Sequence, residues 1–256
     1  MRRSSDAPAM NQARGFHHVL ITGASSGIGA ALARHYAAPG RVLSLHGRDA
    51  ARLAAVAIEA GAAGAEVATA LGDVRDRAAM AAWIEARDAA QPLDLVIANA
   101  GVSGRPAEET IAINVLGVIN TIEPILPAMR ERRHGTVAII SSLAAWRGLP
   151  TAPAYGASKA AVRLWGEGLR ARLRPSGIRV CVVCPGFVAT PLVQANPFPM
   201  PLLMDADRAA QRIARGLARG RARIAFPLRL YALVRLIAAL PPAWTDPFLA
   251  RFSAKE

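Results

Sequence analysis

Lysine is nearly absent from this chain. Of 31 basic residues only Lys159 and Lys255 are lysines, and the rest are arginine. Cysteine is scarce as well: two in 256 residues exclude a disulfide-stapled scaffold. Both lie in Arg179-Val180-Cys181-Val182-Val183-Cys184, an apolar run that reads as a buried strand. Residues three apart on a strand point to opposite faces, so this C-x-x-C is not read as a redox pair. With no further cysteine to complete a zinc site, no metal is expected. Long apolar runs are missing too: no stretch reaches the roughly 18 residues of a spanning helix. The opening Met1-Arg2-Arg3-Ser4-Ser5-Asp6 lacks the apolar core of a secretory signal, so a cytoplasmic location is expected.

Negative charge is the scarcer sign, 18 acidic against 31 basic residues, for a formal charge of +13. The arginines are spread along the chain and accompany no helix-turn-helix, zinc-finger or RNA-binding signature, so no nucleic-acid partner is expected. The charge suits anionic small molecules or an anionic membrane surface.

What is present is apolar and alternating. With 53% apolar residues the chain can bury a core for one α/β domain. Strand-like runs at 17–22, 41–46, 65–71, 93–98, 135–141, 177–184 and 223–226 alternate with alanine-rich helical stretches at 27–38, 49–60, 75–90, 112–132, 153–174 and 205–219. Leu93-Asp94-Leu95-Val96-Ile97-Ala98 is almost continuously apolar, as in a parallel strand buried on both faces. The alternation specifies a parallel sheet with helices on both sides. Residues 1–15 read as a polar lead, 16–226 as the domain and 227–256 as an apolar, arginine-studded extension. Within the domain, residues 186–204 hold Pro191, Pro197, Pro199 and Pro201 among Phe198, Met200, Leu202, Leu203 and Met204. That is too proline-rich for a regular element and too apolar for a solvated loop, and it is read as a lid.

Two motifs carry chemistry. Thr22-Gly23-Ala24-Ser25-Ser26-Gly27-Ile28-Gly29 lies between the first strand and the first helix, where glycines let backbone N–H groups approach a pyrophosphate at the positive helix end. The second is Tyr155-Gly156-Ala157-Ser158-Lys159. A helix opening near Pro153 puts Tyr155 and Lys159 on one face at i and i+4. Free tyrosine titrates near 10, too high for acid–base work at neutrality. An adjacent ammonium favours the phenolate, and an arginine-rich chain that keeps one interior lysine there has kept a proton that can move.

In their order, these motifs with Asp73-Val74, Asn99-Ala100-Gly101, Asn114, Ser141-Ser142 and Pro185-Gly186 followed by Thr190 resemble the classical short-chain dehydrogenase/reductase family. The resemblance covers roughly residues 16–226. It implies a single Rossmann-like doubly wound domain whose seven-stranded parallel sheet has the order 3-2-1-4-5-6-7. It also implies that Gly23, Ser25, Ser26, Gly27, Ile28 and Gly29 line a pyrophosphate, Asp73 and Val74 hold adenine, and Asn99, Ala100 and Gly101 sit by the adenosine ribose and brace the sheet. Pro185, Gly186, Val188 and Thr190 belong to the nicotinamide end. Tyr155 is implied as the general acid in reduction and base in oxidation. Lys159 lowers its pKa and bonds the nicotinamide ribose, Ser142 polarises the substrate oxygen, and Asn114 anchors a water that links Lys159 to solvent.

The second strand ends Leu45-His46-Gly47-Arg48-Asp49. Gly47 stands where an NAD-binding site places an acid, and Arg48 follows it, so NADP(H) is expected over NAD(H), with Asp49 as a helix cap. Only fifteen residues separate Asn99 from Asn114, a shortening that leaves the start of the helix carrying Asn114 open. Arg208, Arg212, Arg215 and Arg219 form one helical stripe, followed by the apolar 226–240 with Arg229 and Arg235 inside. Two readings stand for 205–252: an ordinary surface stripe and packed helix, or peripheral contact with the inner face of a membrane. Together with the lid, the tail favours a hydrophobic substrate (acyl, lipid-like or terpenoid/steroid-like). A homodimer or homotetramer is implied by the resemblance. A redox-neutral conversion on the same site and a non-catalytic NADP-binding or membrane-associated role stay open as alternatives.

Overall fold

The computed structural model describes residues 15–194 and 200–250. Residues 1–14 of the expected polar lead, Pro197, Phe198 and Pro199 of the expected lid, and Lys255 lie outside them. Seven parallel strands run in the order β3-β2-β1-β4-β5-β6-β7, as expected: β1 His18–Thr22, β2 Val42–Gly47, β3 Glu66–Leu71, β4 Leu95–Ala98, β5 Thr136–Ile140, β6 Arg179–Pro185 and β7 Arg223–Phe226. All residues of β1, β2, β4 and β5 are buried, because helices cover both faces. Helices α1 Gly27–Tyr36, α2 Ala50–Ala62 and α9 Ala206–Ala218 lie on one side. On the other lie α3 Arg77–Ala90, the composite helix 107–131 and α7 Pro153–Leu173.

Local chemistry sets the helix starts. Asp49 caps α2 by accepting from Arg52 N, Asp76 caps α3 through Ala79 N, and Asp205 caps α9 through Asp207 N and Arg208 N. Each satisfies a donor that the first helical turn leaves without a partner. Pro153 stands in the first turn of α7, where a missing N–H costs nothing. The cysteines behave as the strand pattern requires. Both thiols are free and buried; Cys181 packs into the α1–α9 core and Cys184 into a small cluster with Leu143 and Val182. Burial pushes both up to about 12.

The helix bearing Asn114 departs from expectation. It begins five residues earlier than predicted, as α4 Ala107–Ile111, then widens to a π turn at Ala112–Leu116. It continues as α5 Gly117–Ile122, a 3₁₀ turn and α6 Leu126–Glu131. Glu108 and Glu109 in its first turn suit the positive helix end. Ala107–Glu131 is long and apolar enough to cross a membrane by composition, but half of its most apolar window is buried. Val118, Ile122 and Met129 pack there in one cluster with Val96 and Val137. It is a core helix.

The segment read as a lid is regular in part. A short helix, α8 Pro191–Gln194, leaves β6, and the segment's two ends are tied by a bridge between Val188 and Met204. The arginine stripe of α9 is exposed opposite its buried Ala209, Ile213 and Leu217, as in an ordinary amphipathic surface helix. The tail forms α10 Leu228–Ala239 and α11 Pro242–Ala250. One side of α10 packs Leu230 and Tyr231 against the Leu143–Cys184 cluster; the other leaves Leu228, Leu233 and Leu236 exposed.

Candidate active site

The carboxyl ends of β1, β2, β4, β5 and β6 open on one cavity of about 770 Å³, within the range of ligand sites. Every site residue expected from the sequence lines it except Gly29 and Asn114, which stand directly behind the wall.

The glycine turn is built for close approach. Gly23 and Gly27 have φ of 65° and 55°, which residues with a Cβ adopt rarely. A Cβ on Gly29 would come within 2.1 Å of Gly23 O. Asn99 spends both amide hydrogens on this turn, donating to Thr22 O at 3.0 Å and Gly23 O at 3.1 Å. Thr22 Oγ1 in return accepts from Asn99 N and Ala100 N. Ser26 occupies the N-cap of α1 but makes no capping bond, and no acid sits in the first turn. The positive helix end is therefore left to an outside anion, and a dinucleotide pyrophosphate fits it.

At the adenosine end, Asp73 is held by three side-chain contacts from Arg75, whose guanidinium keeps the carboxyl below its ordinary value. Val74 is buried. Gly47 faces Ser25, which an added Cβ would approach within 3.2 Å. No acid takes that place, and Arg48 is exposed at the cavity rim.

At the other end, β5 delivers Ser141 and Ser142, and α7 delivers Tyr155 and Lys159. Ser141 Oγ donates to Lys159 O at 2.8 Å, pinning α7 to the strand end. Ser142 caps the next turn by accepting from Ala144 N. Lys159 is 4% exposed; its ammonium donates to Ile140 O at 3.0 Å and lies 5.7 Å from the centre of the Tyr155 ring. Burial lowers it from 10.5 to about 8. Burial pushes the Tyr155 phenol up, and a hydrogen bond with Ser142 opposes that rise.

Asn114 is completely buried in the π turn. Its Oδ1 accepts from Val102 N at 2.8 Å, and its Nδ2 donates to Val102 O and Ser158 Oγ, each at 2.9 Å. Ser158 Oγ donates onward to Tyr155 O at 2.7 Å. The side chain thus ties the shortened 99–114 segment to the backbone of the Tyr155 helix, and no amide hydrogen is left for a water. Sequence reasoning missed Ser158 and the Ile140 carbonyl. Ser158, one turn after Tyr155 and next to Lys159, was open to inspection; a backbone carbonyl carries no side-chain signature.

A doubly wound sheet, a glycine-rich helix start and a Ser–Tyr–Lys group on one cavity define a nicotinamide-nucleotide-dependent oxidoreductase acting between CH–OH and C=O groups. The comparisons agree. The family model for short chain dehydrogenase matches residues 17–198, and the chain belongs to that family. It is 41% identical over 236 residues to an uncharacterized oxidoreductase of Myxococcus xanthus (strain DK1622), covering 88% of this chain and 93% of that one. A short-chain dehydrogenase from Sphingobium yanoikuyae in complex with NADPH superposes with a TM-score of 0.75 at 28% identity, over 91% of this chain and 93% of that one. One from Mycobacterium paratuberculosis bound to NAD gives 0.73 at 26%, over 82% and 95%.

Proposed function

We propose that the protein is an NADP(H)-preferring carbonyl reductase, reversible as an alcohol dehydrogenase, for hydrophobic substrates. The observation that carries this reading is the meeting of Ser142, Tyr155 and Lys159 with the glycine turn on one cavity. With its pyrophosphate on the glycine turn and its nicotinamide against Val188 and Thr190, a bound dinucleotide would supply or accept the hydride. Ser142 Oγ polarises the carbonyl oxygen, and Tyr155 Oη delivers the proton to the developing alkoxide. Lys159 steadies the phenolate that this leaves, its ammonium anchored by Ile140 O. Asn114 acts through Ser158 to hold the Tyr155 turn in place, so any water path to Lys159 bypasses its amide hydrogens.

The missing acid at Gly47 and the rim arginine Arg48 support NADP(H) through the 2′-phosphate. Leu192 beside the cavity and Leu202 and Leu203 further along the same segment are exposed, which supports an apolar substrate. NADPH oxidation against carbonyls graded by chain length tests the reading: turnover should rise with length. Absence of NADPH consumption across the panel, or turnover of small polar ketones alone, refutes it.

A second reading concerns location. Exposed Leu228, Leu233, Leu236 and Trp244, with exposed Arg229 and Arg235 on the same helix, support a cytoplasmic protein held peripherally on an anionic membrane. Leu236→Glu should weaken co-sedimentation with anionic vesicles while activity on soluble carbonyls stays unchanged; equal sedimentation of both proteins refutes it. Exposed Ile111, Leu116 and Leu164 on the composite helix and α7 support a homo-oligomer, which light scattering would count.

A further inference from the structure

The cavity wall carries a polar side chain that neither the proton chemistry nor the glycine turn uses. His46 is the penultimate residue of β2, is 3% exposed and lines the cavity with Asp73 and Val74. Strand alternation turns it away from its neighbour. A side chain at Gly47 would meet Ser25 and Leu53 on the α1–α2 side, whereas His46 lies against Trp83 of α3, ring centroids 5.5 Å apart. Nδ1 is sealed from solvent with no hydrogen-bond partner. Among the described residues Nε2 has no hydrogen bond either, but it is not sealed; it stands beside Gly72, where an added Cβ would come within 3.2 Å of it.

Buried polar groups in native proteins are nearly always paired, so an imidazole left unpaired in a cavity wall implies a partner from outside the chain. Burial disfavours the imidazolium and outweighs the opposing Asp73 carboxylate, which leaves the ring neutral with a single N–H. A sealed lone pair is a commoner orphan than a sealed N–H. The proton therefore belongs on Nε2, on the open side.

We propose that His46 donates a hydrogen bond from Nε2 to the adenosine moiety of the cofactor, a contact common to NAD(H) and NADP(H). The inference rests on the nucleotide reading of the cavity and adds to it a division of labour. His46 contributes affinity for the half that both cofactors share, and Arg48 discriminates between them at the 2′ position.

Adenosine 5′-monophosphate separates the two roles, since it carries the adenosine but no nicotinamide and no 2′-phosphate. Calorimetric titration should show saturable binding to the native enzyme, weakened roughly three- to tenfold in His46→Phe, the range of one neutral hydrogen bond. NADH and NADPH should weaken by the same factor while kcat at saturation is unchanged. His46→Gln keeps a donor nitrogen close to the Nε2 position and should restore binding; His46→Asn, whose amide falls nearer Nδ1, should not. Gly72→Ala leaves the imidazole in place but crowds Nε2, and should behave like His46→Phe. If His46→Phe does not fold, the Gln/Asn pair and Gly72→Ala decide the matter. Unchanged affinity for the monophosphate, a loss confined to NADPH, or equal rescue by Asn and Gln would overturn the role of His46 alone. A native enzyme that fails to bind the monophosphate or NADPH would overturn the nucleotide reading, and the His46 contact with it.

Discussion

Lys159→Met should make the cofactor-free protein more stable at neutral pH while removing its activity. The Lys159 ammonium is buried with one hydrogen bond, to Ile140 O, and burial lowers its pKa from 10.5 to about 8. That gap corresponds to about 3 kcal/mol of preference for the neutral amine. Between the two values the unfolded chain holds a proton that the folded chain has released, so stability rises with pH across that window. Below about pH 8 the folded protein carries the whole cost. Methionine, similar in length and apolar, removes it but strands the Ile140 carbonyl, an offset of about 1 kcal/mol. The net gain at pH 7 is about 2 kcal/mol, or roughly 4 °C in Tm for a domain of this size. At pH 10 the native lysine is largely neutral in the fold, and the gain should have vanished. Thermal unfolding of both proteins by circular dichroism at pH 7 and pH 10 checks this, because other titrations are common to the pair. A variant less stable than the native chain at pH 7, or a difference that does not change with pH, would refute the reasoning.

Tyr155→Phe should lower kcat by about 10²- to 10⁴-fold, the span of a general acid's contribution, with NADPH affinity by fluorescence titration unchanged. Arg48→Ala should raise KM for NADPH by about tenfold or more and leave KM for NADH where it was. Gly29→Ala would force a Cβ to within 2.1 Å of Gly23 O and 2.6 Å of Asn99 Nδ2. Urea unfolding should show a loss of about 2 kcal/mol or more, and nucleotide binding should disappear.

The sheet was legible because its strands are short apolar runs between turn signals, a pattern that leaves little choice but burial on both faces. Asp49 as a helix cap was equally plain, since an aspartate directly ahead of an alanine-rich run has one local use. The helix around Asn114 was misjudged for a local reason. Pro106 with Glu108 and Glu109 marks a helix start inside the shortened segment after Asn99, earlier than the alanine-rich run alone indicates. The π turn at Ala112–Leu116 has no propensity signature, since its wider winding answers tertiary demands: Asn114 must reach both Val102 and Ser158. Such bulges recur at functional sites. The setting of Tyr155 was also beyond sequence. That Lys159 would turn to Ile140 O, with burial raising the phenol, depends on distances across the sheet rather than on spacing along it.

The two buried histidines of adjacent strands show where the fold reserves unsatisfied chemistry. His18 opens β1 and is 1% exposed; its ring nitrogens reach Gln91 O at 2.7 Å and Ser44 Oγ at 2.9 Å. His46 is buried to much the same degree near the other end of β2, yet among the described residues neither of its nitrogens has a hydrogen-bond partner. Burial is the leading influence on both rings, so burial alone does not account for the difference. The costly features fall at the same edge: the left-handed Gly23 and Gly27, the uncapped start of α1 and the desolvated Lys159. Natural folds depart from local consistency mainly where they bind or react. At the amino edge His18 is satisfied within the protein, whereas at the carboxyl edge His46 faces the cavity, an edge built to be completed by a ligand.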